Sequence, residues 1–300
     1  MVVTYARGSS DHAATYAKYL IETLVGIPVS SGALSVASIY GTQPLSPGAL
    51  CLAISQSGRS PDILAAVEAN KRAGNTVVAF VNDESSPLAQ LADVLFPLCA
   101  GQERSVAATK SYIASLAALA LLVSLWAENT ELEEAIRQLP ERLPAAFDLD
   151  WSEALDDLIP ARNLFVLGRG YSLAVAQEAA LKLKETCALH AEAFSAAEVR
   201  HGPMTIVGKD FPVLGFATSD TAGDGVCVLA NVLAGRGALT RVADPARRLA
   251  QGVLPAFRAH PAVEPILMIQ SFYRMANELS LARGLDPDAP PHLLKVTRTT

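Results

Sequence analysis

Short runs of Val, Ile, Leu and Ala alternate along the chain with longer stretches in which apolar residues recur every three or four positions. Residues 2–6 read as a strand, 11–24 as a helix, 49–54 as a strand, 61–73 as a helix and 76–81 as a strand. Such alternation predicts a parallel sheet covered on both faces by helices. The pattern then restarts, with a strand over 164–167, a helix over 172–187 and a strand over 213–216. The intervening polar, proline-punctuated stretch has a helical period. The reading is an α/β chain with a first domain over 1–127, a helical linker over 128–150, a second domain over 151–286 and a tail over 287–300.

The restart reads as an internal repeat. Ala6-Arg7-Gly8-Ser9-Ser10 aligns with Gly168-Arg169-Gly170-Tyr171-Ser172, both at a strand-to-helix turn. Ser35-Val36-Ala37-Ser38 aligns with Ser195-Ala196-Ala197-Glu198. The copies differ where chemistry would reside. After its second core strand the first has Ser55-Gln56-Ser57-Gly58, whereas the second has Ala217-Thr218-Ser219-Asp220, an acid in place of the glycine. An anion would be repelled by Asp220, so an anion site is expected in the first copy only.

That loop continues Arg59-Ser60-Pro61-Asp62. Ser60 fits a helix N-cap and Pro61 the first helical position. A helix starting at the carboxyl end of a parallel strand offers unpaired amides and a positive dipole end, which suit a phosphate. Three hydroxyls and an amide add donors, Gly58 permits close approach, and Ser10 can point into the same crevice. A plain capped turn would also use a serine; the combination with glutamine, glycine and a Ser-Pro start is what favours phosphate. No Gly-Lys-Ser/Thr follows, so this is not a nucleotide-binding P-loop.

Composition narrows the classes. Formal net charge is −6 with basic residues scattered, so no nucleic-acid surface is indicated. Cys51, Cys99, Cys187 and Cys227 show no metal-ligand spacing and read as buried, reduced thiols of a cytosolic protein. The apolar run 111–126 is short for a membrane span and carries three serines, so it reads as a core or subunit-interface helix. No metal or nucleotide cofactor is expected.

The helix over 172–187 is mostly apolar, yet Glu178, Lys182 and Glu185 fall on one face at i, i+4 and i+7. Charges on a largely buried helix need partners or a task. An ordinary Glu–Lys pair is one reading; the other makes one carboxylate a base that moves a proton between adjacent sugar carbons. His201, before Gly202-Pro203, sits on a turn, where a histidine is a candidate to open a sugar ring.

Several motifs then occur in order: Gly8-Ser9-Ser10, Ser55-Gln56-Ser57-Gly58, Val106-Ala107-Ala108-Thr109-Lys110, Leu181-Lys182-Leu183-Lys184-Glu185, His190-Ala191-Glu192-Ala193, His201-Gly202-Pro203 and Lys295-Val296-Thr297. Together they resemble the sugar isomerase (SIS) double domain of glucosamine-6-phosphate synthase, across essentially the whole chain. The resemblance implies two tandem SIS domains, each a flavodoxin-like three-layer sandwich. It implies Glu185 as the C1–C2 proton-transfer base, Lys182 as its neighbour, Lys295 near the substrate carbonyl carbon, and His201 as a ring-opening histidine supplied by the other subunit of a homodimer. Ser10, Ser55, Gln56, Ser57 and Ser60 match phosphate-binding positions, with Gly8, Val106 and Ala108 beside the sugar. Serine is common in the family where Ala108 stands.

The glutaminase half of that synthase, with its amino-terminal cysteine, has no counterpart in Met1-Val2, and no helical lead-in precedes the first strand. Segments 7–12, 57–62, 81–84 and 107–112 more closely resemble the SIS-type glucosamine-6-phosphate deaminases. The implied reaction is glucosamine 6-phosphate and water giving fructose 6-phosphate and ammonia. The alternatives are another sugar-phosphate isomerase, a deglycase, an ammonia-dependent synthase, or a non-catalytic sensor of a sugar phosphate.

Overall fold

The computed structural model describes residues 1–42 and 47–293. They fall into two compact units, one built on Met1–Ala127 and the other on Glu128–Pro290. The first runs β1 (Val2–Tyr5), α1 (Ser9–Leu20), β2 (Val29–Ser31), α2 (Leu34–Ser38), β3 (Leu50–Ser55), α3 (Pro61–Arg72), β4 (Thr76–Val81), α4 (Pro87–Leu91), β5 (Val94–Pro97) and α5 (Lys110–Trp126). Its sheet is wholly parallel, in the order β2-β1-β3-β4-β5. Strands β3 and β4 are buried along nearly their whole length, as central parallel strands covered on both faces must be. Cys51, Ala53, Val77, Ala79 and Val81 pack with Ile63, Ala66 and Val67 of α3 into one core.

The second unit runs α6 (Thr130–Arg137), α7 (Leu139–Phe147), α8 (Ser152–Leu158), β6 (Asn163–Gly168), α9 (Leu173–Cys187), β7 (His190–Ser195), β8 (Pro212–Phe216), α10 (Thr221–Ala234), β9 (Leu239–Ala243), β10 (Val253–Leu254) and α11 (Glu264–Ala282). Its sheet is again wholly parallel, β10-β9-β8-β6-β7. Each sheet, taken by itself, therefore has the strand order 2-1-3-4-5 of flavodoxin-like folds, with its direction of winding reversing between the first and third strands. In unit one that switch point lies between β1 and β3, and in unit two between β6 and β8.

Residues 128–150 carry α6 and α7, and α7 docks on α11: Ser271 Oγ donates to the Ala146 carbonyl at 2.7 Å. Helix α5 buries Tyr112, Leu116, Leu119 and Val123 on one face, while Leu121, Leu125 and Trp126 stand exposed. Among the described residues no helix is long and apolar enough to cross a membrane.

Three local expectations need correction. The helix expected over 11–24 is regular only to Leu20; Ile21–Val25 forms a π-helical turn closed by Gly26 in the left-handed region, φ 75°. Ser60 is the N-cap of α3 by backbone conformation, but its hydroxyl makes no capping bond. Cys99 is exposed, unlike the other three cysteines, because it lies in the irregular segment just past the end of β5 and outside the core.

Candidate active site

Strands β1 and β3 are neighbours, and each is followed by one of the two serine-rich loops. Gly8 and Ser10 follow β1; Ser55, at the end of β3, leads into Gln56, Ser57 and Ser60. The topology thus gathers six of the sequence-predicted positions at the carboxyl edge of the first sheet, at the switch point where open α/β sheets hold ligands. Ser55 is buried, Ser10, Gln56, Ser57 and Ser60 are half-buried, and Gly8 is exposed.

The loop is built tightly. Ser55 Oγ accepts the Gly58 amide at 3.0 Å, and Ser57 Oγ accepts the Arg59 amide at 3.4 Å. Gly58 has φ +63°, and a Cβ there would meet Ser86 Oγ at 2.2 Å and Val81 Cγ1 at 3.1 Å. The glycine is required by its own conformation and by the Ser86 contact from α4, a reason additional to approach by a ligand. Arg7 pairs with buried Asp62 at 2.5 Å, joining the two loops, and Arg59 pairs with Asp83 at 2.8 Å.

Val106 and Ala108 are half-buried on the segment between β5 and α5. That segment is tied down by Glu103, whose Oε2 accepts both the amide and the hydroxyl of Ser111 at 2.9 and 2.7 Å, inside the first turn of α5. Such a carboxylate at a helix start is stabilising. Glu103 escaped the sequence reading because only the folded turn reveals its partner.

The equivalent loop of the second unit is occupied by the protein's own groups. Asp220 caps α10, its Oδ1 accepting the amides of Ala222 and Gly223 at 3.1 and 3.2 Å. Arg248 reaches the Thr218 carbonyl at 2.7 Å and pairs with Asp224 and with buried Asp244. Glu264, fully buried at the start of α11, accepts the Ala259 amide at 3.1 Å. Burial pushes its carboxyl above the ordinary 4.5, against the lowering effect of its amide donors.

The charged face predicted on α9 is real and deeply placed. Glu178 is fully buried, Lys182 is 2% exposed, and the Glu185 side chain retains 22% exposure. Lys182 Nζ lies 2.5 Å from Glu185 Oε2 and 3.4 Å from Glu178 Oε1. Desolvation works to strip the proton from Lys182, but the two carboxylates together outweigh it and raise its pKa above the ordinary 10.5. The arrangement is a buried ammonium held between two carboxylates, one sealed and one open to an incoming molecule. Tyr273 of α11 adds a bond no spacing rule predicts, its hydroxyl donating to Glu178 Oε1 at 3.1 Å.

His201 is exposed, at the end of a 3₁₀ turn (Glu198–His201) beyond β7, before Gly202 at φ 146°. It lines a shallow cleft of about 360 Å³ with Arg169, Arg200 and Asp224. Glu185 lies in the last turn of α9, which returns the chain to the amino edge of the sheet, where β7 begins. His201 follows the carboxyl end of β7. Within one copy of this unit the two residues therefore lie toward opposite edges of the sheet. Lys295 lies outside the described residues. No group of three or more His, Cys, Asp or Glu among the described residues could hold a metal ion.

A family model described as SIS domain matches residues 1–125 and 157–243. The isomerizing glutamine–fructose-6-phosphate aminotransferase of Thermus thermophilus is 34% identical over 97% of this chain, which spans half of that relative's length. Among solved structures, a proposed phosphosugar isomerase from Silicibacter pomeroyi is 46% identical with TM-score 0.91, covering 96% of this chain and 88% of that one. The C-terminal domain of the glucosamine-fructose-6-phosphate aminotransferase from Francisella tularensis is 26% identical with TM-score 0.87, covering 96% and 86%.

Proposed function

The chain belongs to the SIS-domain family, and from that membership we propose that it deaminates glucosamine 6-phosphate to fructose 6-phosphate and ammonia. The observation that carries the chemistry is the Glu178–Lys182–Glu185 row, a half-open carboxylate beside a buried cation. The serine loops at the β1/β3 edge would take the phosphate, with Ser10, Ser55, Gln56, Ser57 and Ser60 as donors and Gly8, Val106 and Ala108 along the sugar.

In this reading His201 moves a proton from the C1 hydroxyl to the ring oxygen, and the ring opens to the aldehyde. Glu185 takes the C2 proton, leaving an enediol-type intermediate bearing nitrogen at C2. The proton is returned at C1, which gives the C2 imine. Water adds to C2 and ammonia leaves. Lys182 offsets the charge of Glu185 and keeps it in place. Lys295 either steadies the developing oxyanion as an ammonium or attacks the ketose carbonyl as an amine.

The placement of Glu185 and His201 toward opposite edges of one sheet supports a site that takes its histidine from a second copy, as in a homodimer. The name of the Thermus relative favours a second reading, amination of fructose 6-phosphate, which would use the same groups in reverse. Incubation with glucosamine 6-phosphate, with ammonia and fructose 6-phosphate measured together, tests the proposal. Equimolar release of both is expected; fructose 6-phosphate plus free ammonia giving only the amino sugar would select the reverse reaction, and neither conversion would overturn both.

A further inference from the structure

The far end of the row on α9 is fixed by a different helix. Tyr273 stands on α11, which packs along α9, and its hydroxyl donates to Glu178 Oε1 at 3.1 Å. That same oxygen is the one 3.4 Å from Lys182 Nζ. A carboxylate with no exposure depends on such donors for its charge. We infer that Tyr273 is a positioning residue for the proton transfer: by occupying Glu178 Oε1 it sets how Lys182 divides between Glu178 and Glu185. The inference rests on the proposed role of Glu185.

The geometry supplies the direction. Lys182 sits nearer the open carboxylate than the sealed one, 2.5 against 3.4 Å. The tyrosine hydroxyl takes up part of the accepting capacity of Glu178 and so leaves the ammonium to Glu185. With a phenylalanine at 273 the ring would remain and the donor would go. Glu178 would then draw Lys182 toward itself, and Glu185 would lose part of the partner that orients it. None of the proposed phosphate-binding residues lies on α9 or α11, so substrate binding would not be touched.

The test uses the full chain with fructose 6-phosphate and ammonium in heavy water, reading deuterium uptake at C1. Tyr273→Phe should lower the exchange kcat about 10- to 100-fold, with KM within about twofold. In a Glu178→Gln background the same change should add little, because the hydroxyl acts through Glu178. Exchange at the wild-type rate, or an equal loss in both backgrounds, would overturn the inference. A second measurement needs no substrate: the ¹³Cε signal of Lys182 in lysine-labelled protein, assigned by its loss in Lys182→Arg. It should move in Tyr273→Phe, and an unmoved signal overturns the inference. A wild-type protein that exchanges nothing while this signal does move would instead overturn the proposed function.

Discussion

Glu264 Oε2 accepts the backbone amide of Ser219 at 2.6 Å. The loop that leaves β8 thus already holds a carboxylate, and Asp220 places a second on the first amides of α10. In the first unit the matching loop presents Ser55, Gln56 and Ser57, with no acid at those positions.

The two loops should therefore differ sharply when cut back. Ser57→Ala should raise KM for a phosphorylated sugar by about tenfold or more, through loss of a charge-assisted bond of about 1.5–3 kcal/mol. Ser219→Ala keeps its amide and should leave KM within about twofold. Steady-state kinetics on both variants decide the matter, and equal effects would show that phosphate is not read by the first unit alone.

Glu185→Gln preserves shape while removing the base. It should cost about 10²–10⁴ in kcat with substrate still bound. Solvent deuterium entering C1 or C2 of the sugar is the telling measurement. A variant that exchanges at the wild-type rate would clear Glu185 of the role.

The separation of Glu185 from His201 leads to a complementation experiment. His201→Ala and Lys295→Ala should each be nearly inactive alone, while their mixed dimer regains partial activity from one restored site. Co-expression under two tags isolates that species. A purified mixed dimer no more active than its parents would make His201 a residue of its own chain's chemistry or of structure only.

Stability in acid should follow Asp244. Burial alone would raise its pKa, but bonds from the Arg248 side chain and backbone outweigh this and hold it below the ordinary 3.8. Its folded value being depressed, its contribution is fully present above about pH 4 and is lost as pH falls through the folded value. Asp244→Asn should cost about 2 kcal/mol near neutrality and flatten the fall in stability below pH 4. Urea unfolding at a series of pH values checks both, and a variant with the wild-type acid slope would contradict the assignment.

Much of this was readable from local pattern. Residues 77–81 of β4 are an unbroken apolar run, and Ser60-Pro61 marks the start of α3 through its fixed backbone preferences. The row on α9 was visible because i, i+4 and i+7 share a face in any helix. What escaped depends on partners distant in the chain. Strand β2 has three residues with only Val29 buried, so its apolar signal is too small to detect. Tyr273 lies 95 positions from Glu178, and no periodicity links two helices brought together by packing. Asp220 is an exception, since the amides it caps belong to Ala222 and Gly223, two and three residues on, and its charge repels an anion as well.

Strand β1 lies between β2 and β3, pairing Val2 with Val29 on one side and with Leu50 on the other. During synthesis it is made before either neighbour. At about 5–20 residues per second, several seconds pass before β3 follows it. Through that interval an apolar strand has both edges bare, a state in which chains associate wrongly. Chaperone supply during synthesis should therefore raise the soluble yield of this chain more than changes to its surface would.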